Sequence, residues 1–513
     1  MSARFATAIG SLALLLSIAC GGSFRQGRAA AASGWLQVET SHFNLYTNLP
    51  EPSARDLAQS LEEARAALLL LAWGGAAGPE GHIEVVVFAR QSEFELWRGD
   101  AMAVGELAAY PGLPRLLVFT PGRDAGLSRI AVHELAHELS RWFIPLQPVW
   151  FSEGLASMLE GLTFDRSTGH ARLGALTEDR VKWVQTIPST EELLFAHESL
   201  QLDVRKSAAF YSGVWLLTHY LRNHHNAAFG RFQRELARLR DWREAWAVHL
   251  ADLTPAQLDV SLKQYVANGE FSVREATIEV PPFTVAVRRL PAAEQQGMLA
   301  KTALLMGNRP LAKKLRLEAQ RLDAAEVAAA EVELFEATPV GMSDGSSNST
   351  RLAELALQVT KAHPDRAGAW RMLAQFHPSE VLRNEGLVRA GALEPHHPSL
   401  RWLLAWQALE RGRAEEALAH AHFVLRRWPL TLDVIRLQVV ALAANGGCDV
   451  ASEVMRTAHT LYAWCETKAD GKSTGCMSEL RKVADRACPG APSKSKPLPD
   501  VFIKLKSRRN SED

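Results

Sequence analysis

His133 and His137 stand four residues apart in IAVHELAHEL (130–139), with Glu134 beside the first of them. Residues at that separation lie one turn apart on the same helix face, so two neutral imidazoles can converge on one divalent cation. This H-E-x-x-H spacing suits a zinc centre in which the glutamate takes a proton from water. An amphipathic helix could carry the same five residues without a metal, and a third ligand is needed to tell the two apart. The chain has 17 His, so the spacing alone is a weak signal.

Sixteen residues after His137 comes Glu153, in PVWFSEGLASMLEG (148–161). It lies in an otherwise apolar, helix-forming stretch beside Trp150, Phe151, Leu155 and Ala156. A carboxylate turned inward with such neighbours is costly unless it is paired or binds a metal. Two His and one Glu, with a fourth position left open, form the donor set of catalytic zinc.

HELAH followed by WFSEGLA resembles the gluzincin metallopeptidases, particularly the peptidase MA-like branch. There a tryptophan precedes an EGLA or EGFA segment that carries the third ligand. The opening stretch WLQVETSHFNLYT (35–47) resembles the first strand pair of that branch, and the resemblance covers 35–270. It implies one catalytic Zn2+ held by His133, His137 and Glu153, with Glu134 as general base in the hydrolysis of a peptide bond in a protein or peptide substrate. In the aminopeptidase branch of gluzincins a tyrosine opening a helix stabilises the oxyanion. Tyr211 opens YSGVWLLTHYL here and is the candidate for that role, with a half-buried helix aromatic as the alternative. The GxMEN segment with which aminopeptidases hold a substrate's α-amine is replaced by GELAAYPGLPRLLVF, which points to endopeptidase action. The residue four after Glu153 is Ser157, so the sequence names no acidic partner that would orient the histidines. His219 is a weaker rival to Tyr211 for the oxyanion role and reads rather as a helix-surface residue, and His224 and His225 read as surface residues.

Elements must position these residues. Alternation at Leu36, Val38, Phe43 and Leu45 predicts strands, as do HIEVVVFA (82–89) and PRLLVFTPG (114–122). SARDLAQSLEEARAALLLLAW (53–73) has helical periodicity, and a helix capped at Asp124 runs through the histidine pair to Trp142. Strands, then the motif helix, then more helices give α+β order over 35–275; the resemblance implies that this is a zincin-like metallopeptidase domain. Three prolines in 275–295 break the helical pattern and suggest a linker at 276–289.

Beyond it, His363-Pro364 and His397-Pro398 are 34 residues apart, the tetratricopeptide period. Gly412 and Ala417 recur 34 residues later as Gly446 and Ala451, and Gly307 with Ala312 shows the same five-residue spacing. Trp370-x-x-Leu373 opens a unit. These positions predict an all-α, tetratricopeptide-like solenoid over 290–465, interrupted at TPVGMSDGSSNST (338–350), with a surface for substrate or a protein partner. A Cys-containing, basic tail follows at 466–513, its last stretch SKSKPLPDVFIKLKSRRNSED without a packed structure.

At 513 residues the chain exceeds one core, and 47% apolar with 22% charged residues is ordinary for a folded protein. Lys+Arg and Asp+Glu are 57 each, so no net field favours nucleic acid. MSARFATAIGSLALLLSIACGG (1–22) has Arg4, an apolar stretch from Ala8 to Ala19 and small residues before Cys20, which reads as an export signal over 1–20. LSIAC resembles a bacterial lipobox, with Ser17 where that pattern prefers leucine; it implies lipidation at Cys20, a small polar tether at 21–34 and a membrane-anchored envelope lipoprotein, with plain secretion as the alternative. Cys448, Cys465, Cys476 and Cys488 then suggest two disulfides with three pairings open. The functional expectation is an envelope-anchored zinc endopeptidase; the alternative is a non-catalytic scaffold lipoprotein whose peptidase-like domain binds zinc or peptide.

Overall fold

In this computed structural model the described residues are 34–98, 105–108, 116–121, 127–176, 180, 182–184, 186–196, 204–269, 271–337, 348–428, 431–461 and 476–488. The fold below is that of the unit Trp35–Asp513. The signal, Cys20, Asp124 and Cys465 lie outside the described residues, as do 338–347 and the basic stretch from 489 onward.

The chain is α+β and mostly helical. Its strands are β1 (Leu36–Glu39), β2 (Phe43–Thr47), β3 (Ile83–Val87), β4 (Gly105–Ala108), β5 (Leu116–Phe119), β6 (Thr163–Asp165), β7 (His170–Leu173), β8 (Arg274–Thr277) and β9 (Ala286–Arg289). Six form one sheet in the order β4-β5-β3-β2-β1-β9, and β6-β7-β8 form a second. The central strands β2, β3 and β5 are parallel, while β4, β1 and β9 pair antiparallel with their neighbours.

Both faces of the large sheet are covered, which explains the unbroken apolar run of β3. On one face Val85 and Val87 join the core formed by α1 (Glu51–Trp73) and by α3 (Arg129–Phe143), which follows the short α2 (Gln91–Arg98). On the other, Val86, Phe88 and Val118 pack with Trp35, Phe94 and Trp97. The first C-terminal helices close that face. Met298, Leu299 and Ala303 belong to the same core, and so does Val332.

The remaining helices are α4 (Val149–Leu159), α5 (Thr190–Leu194), α6 (Val204–His224), α7 (Asn226–Ala237), α8 (Trp242–His249), α9 (Pro255–Asn268), α10 (Ala292–Leu305), α11 (Arg309–Leu322), α12 (Val327–Ala337), α13 (Asn348–Ala362), α14 (Ala367–Phe376), α15 (Glu380–Leu393), α16 (Pro398–Glu410), α17 (Ala414–Arg427), α18 (Leu432–Ala444), α19 (Cys448–Leu461) and α20 (Cys476–Ala487). The C-terminal half is helical, and the spaced glycines and alanines have physical work there. Gly307, Gly412 and Gly446 adopt φ of 79°, 69° and 77° after α10, α16 and α18, a left-handed turn that favours glycine. Five residues on, Ala312, Ala417 and Ala451 are buried where a larger side chain would separate the paired helices.

Four local expectations change. The 276–289 stretch is not a bare linker: β8 pairs with β7, and β9 closes the edge of the large sheet against β1. Its prolines stop a helix but leave the backbone beyond them free to pair at an edge. The motif helix begins at Ser128, whose hydroxyl accepts from the Ala131 N–H, and not at Asp124. Part of the tail is helix α20, tied back by a Cys448–Cys488 disulfide. Cys476 opens that helix. Finally, His219 is buried, stacked on Trp215 with its ring nitrogens 2.8 Å from the Tyr265 hydroxyl and 3.1 Å from the Ser272 carbonyl. Burial pushes its pKa down to about 4. No described helix is long and apolar enough to cross a membrane.

Candidate metal centre

Helix α3 buries Ala131, Val132, Leu135, Ala136 and Leu139, and this stripe fixes the direction in which His133 and His137 point. Helix α4 starts directly after Pro148, whose fixed φ suits the entry of a helix. Its first turn is anchored by Trp150, which packs on Phe232, Trp242 and Trp246 with centroids 5.7–6.2 Å apart. All of α4 from Trp150 to Leu159 is buried except Glu153. Gly154 allows α6 to approach: a Cβ there would lie 2.2 Å from the Thr218 Oγ1 and 2.6 Å from the Val214 carbonyl oxygen.

The two helices bring the three sequence-predicted donors together, their ligand atoms all within 4.8 Å of one another. His133 Nε2 is 3.1 Å from His137 Nε2 and 3.2 Å from Glu153 Oε2, and His137 Nε2 is 3.4 Å from the same oxygen. A tetrahedral zinc with bonds of roughly 2.0–2.1 Å separates its ligands by about 3.3 Å, so the triangle has the size of one face of that polyhedron. Two ring nitrogens facing each other at this distance need a proton or a cation between them. Burial alone would push the His133 imidazole down, but hydrogen bonds to Glu153 and Glu160 and the charges of Glu153 and Glu134 bring it up to about 10. Burial raises the Glu153 carboxyl, and the charge of His137, with the hydrogen bonds from both histidines, overrides it and holds the group well below the usual carboxylate range. The donors therefore form a hole for positive charge.

Each histidine is held from behind. His133 Nδ1 is 2.8 Å from Glu160 Oε2, and the other Glu160 oxygen accepts from Arg180 Nη2 at 2.7 Å. His137 Nδ1 is 3.2 Å from the Ser152 hydroxyl. Such partners fix the ring and leave Nε2 for a cation. The sequence reading missed Glu160 because it tested the position four after Glu153. Glu160 is seven after it, two helical turns along the same face, and that spacing was the available signal.

Glu134 is half-buried and makes no hydrogen bond or ion pair among the described residues. Tyr211 is the eighth residue of the long helix α6, Val204–His224, and so does not open it; its ring lies 6.2 Å from that of His133. Burial and the charges of Glu153 and Glu134 push the Tyr211 phenol up, so it stays protonated. His219, His224 and His225 are not part of this cluster.

Residues 126–241 match a family described as "Protein of unknown function (DUF1570)". The matched stretch spans all three donors, Glu134, Glu160, Arg180 and Tyr211. No curated protein matches the chain.

Proposed function

We propose that this chain is a zinc-dependent endopeptidase of the zincin-like, gluzincin type, exported and anchored to the cell envelope through Cys20. The observation that carries the reading is the triangle of two imidazole nitrogens and one carboxylate oxygen, 3.1–3.4 Å on a side, with Glu134, unpaired among the described residues, next in sequence to His133. The donor set and its dimensions fit zinc.

When bound there, the cation would supply electrophilic activation of water and of the scissile carbonyl. His133, His137 and Glu153 hold it, and Glu160 with Arg180 and Ser152 keep the two rings aimed. Glu134 accepts the proton of the attacking water and passes it to the leaving amine. Tyr211 donates its phenolic proton as a hydrogen bond to the oxygen on which negative charge develops. In the C-terminal half, of the tetratricopeptide type on this reading, the array of helical pairs would offer its surface to substrate or a protein partner.

The test is zinc content and peptide-library cleavage for the wild type and Glu134→Gln. The reading predicts zinc in both and cleavage in the wild type alone. Zinc in both with cleavage in neither would leave the non-catalytic scaffold instead.

A further inference from the structure

The C-terminal helices pack on the N-terminal region at three places behind the ligand-bearing helices. Trp142 of α3 meets Phe423 of α17 edge-on at 5.8 Å, and the Arg426 guanidinium lies over its ring at 5.3 Å. Leu146, in the turn between α3 and α4, is buried in one core with Val424, Leu425 and Ile435, and so is Leu239 from the turn between α7 and α8. Glu453 on α19, 1% exposed, accepts from the Asp241 backbone N–H at 2.8 Å.

Between these contacts lies Arg427, the last residue of α17 and 5% exposed. Its Nη1 donates to the Glu80 carbonyl at 3.1 Å and its Nη2 to the His82 carbonyl at 2.8 Å, just before β3. Its Nε lies 3.3 Å from Oε1 of Glu138, itself 3% exposed. Glu138 directly follows the ligand His137. One guanidinium thus ties the backbone leading into the central sheet to the back of the helix that carries both histidines. The planar, rigid fork of arginine donates to both carbonyls while its charge pairs with Glu138 without a hydrogen bond from Nε, and the point charge of lysine does not reproduce that geometry.

We propose that Arg427 is a positioning residue for the metal centre, and that the C-terminal helices brace that centre from behind. The proposal rests on reading His133, His137 and Glu153 as metal ligands. Glu160 and Ser152 fix the two rings on the α4 side, and Arg427 fixes the register of α3 on the other. A metal site tolerates ligand displacements of roughly 0.2 Å, so loosening α3 weakens binding without removing a ligand.

The experiment measures zinc affinity by competition with a chromophoric chelator, alongside thermal melting, on the full chain. Arg427→Met should bind zinc at least ~10-fold more weakly than the wild type, as loss of a supporting partner does at metal sites. Arg427→Lys should recover part of that loss. Glu453→Leu, which removes the acceptor of the Asp241 N–H and so cuts the same interface away from α3, should lower the melting temperature but leave zinc affinity within about twofold. Wild-type affinity in Arg427→Met overturns the brace while leaving the metal site standing. Should Arg427→Met fail to fold, a lysine variant with lowered melting temperature and undiminished zinc affinity overturns it equally. A wild type that binds no zinc overturns the metal reading and the brace with it.

Discussion

Replacing Gly154 by alanine would put a methyl group where α4 and α6 leave no room for one. The added Cβ would lie 2.2 Å from the Thr218 hydroxyl, which could rotate away, and 2.6 Å from the Val214 carbonyl oxygen, which is helix backbone and cannot. Restoring an ordinary contact of 3.4 Å from 2.6 Å requires a separation of about 0.8 Å between the helices. Overpacking of this kind costs about 1–3 kcal/mol. Glu153 precedes Gly154 and moves with it, by several times the roughly 0.2 Å that a metal site accommodates. The expected outcome is a melting temperature lowered by about 2–4 °C for each kcal/mol and zinc affinity reduced at least ~10-fold. Adding Thr218→Ala should recover only part of both, because the Val214 carbonyl remains. Thermal melting followed by circular dichroism, with and without zinc, reads both quantities. Wild-type melting and wild-type zinc affinity in Gly154→Ala would refute the argument that this glycine sets the position of Glu153.

Other consequences follow from the same geometry. Glu160→Gln leaves the buried Arg180 without its carboxylate and His133 without a charged acceptor, and should weaken zinc binding by ~10–100-fold in a chelator competition. Tyr211→Phe should leave zinc affinity unchanged while kcat for peptide hydrolysis falls by ~100–1000-fold; an unchanged kcat removes the phenol from the oxyanion role. Glu326, 4% exposed, accepts from the N–H groups of Ala328 and Ala329 at the start of α12, and burial pushes its carboxyl up to about 7. Because the folded chain keeps on Glu326 a proton that the unfolded chain loses from its ordinary 4.5 upward, the contribution of this group to stability is greatest below pH 4.5. It declines by about 3 kcal/mol as the pH rises to 7. Denaturant melts of wild type and Glu326→Gln check this, the variant losing that pH dependence.

The donors were legible because the signals are local. Two histidines one turn apart define α3, and a lone carboxylate in an apolar helix asks for a partner. Gly412 and Gly446 likewise announced their turns through spacing. What escaped depended on distant segments. β9 pairs with β1 from some 250 residues along the chain, which no periodicity in 276–289 announces. Glu160 becomes a partner only because α3 places His133 against it, and Arg180 is absent from every local pattern. His219 read as a surface residue because its partners, Tyr265 and the Ser272 carbonyl, come from other elements. The C-terminal helices were legible as a spaced array, but their packing against α3 through Arg427 is a tertiary fact.

The central claim, that α3 and α4 hold one zinc between His133, His137 and Glu153, is tested most directly by metal analysis of the purified chain beside Glu153→Ala. The account predicts one zinc per chain in the wild type and its loss in the variant, with circular dichroism showing both folded. Undiminished zinc in folded Glu153→Ala, or no zinc in a folded wild type supplied with the metal, would contradict it.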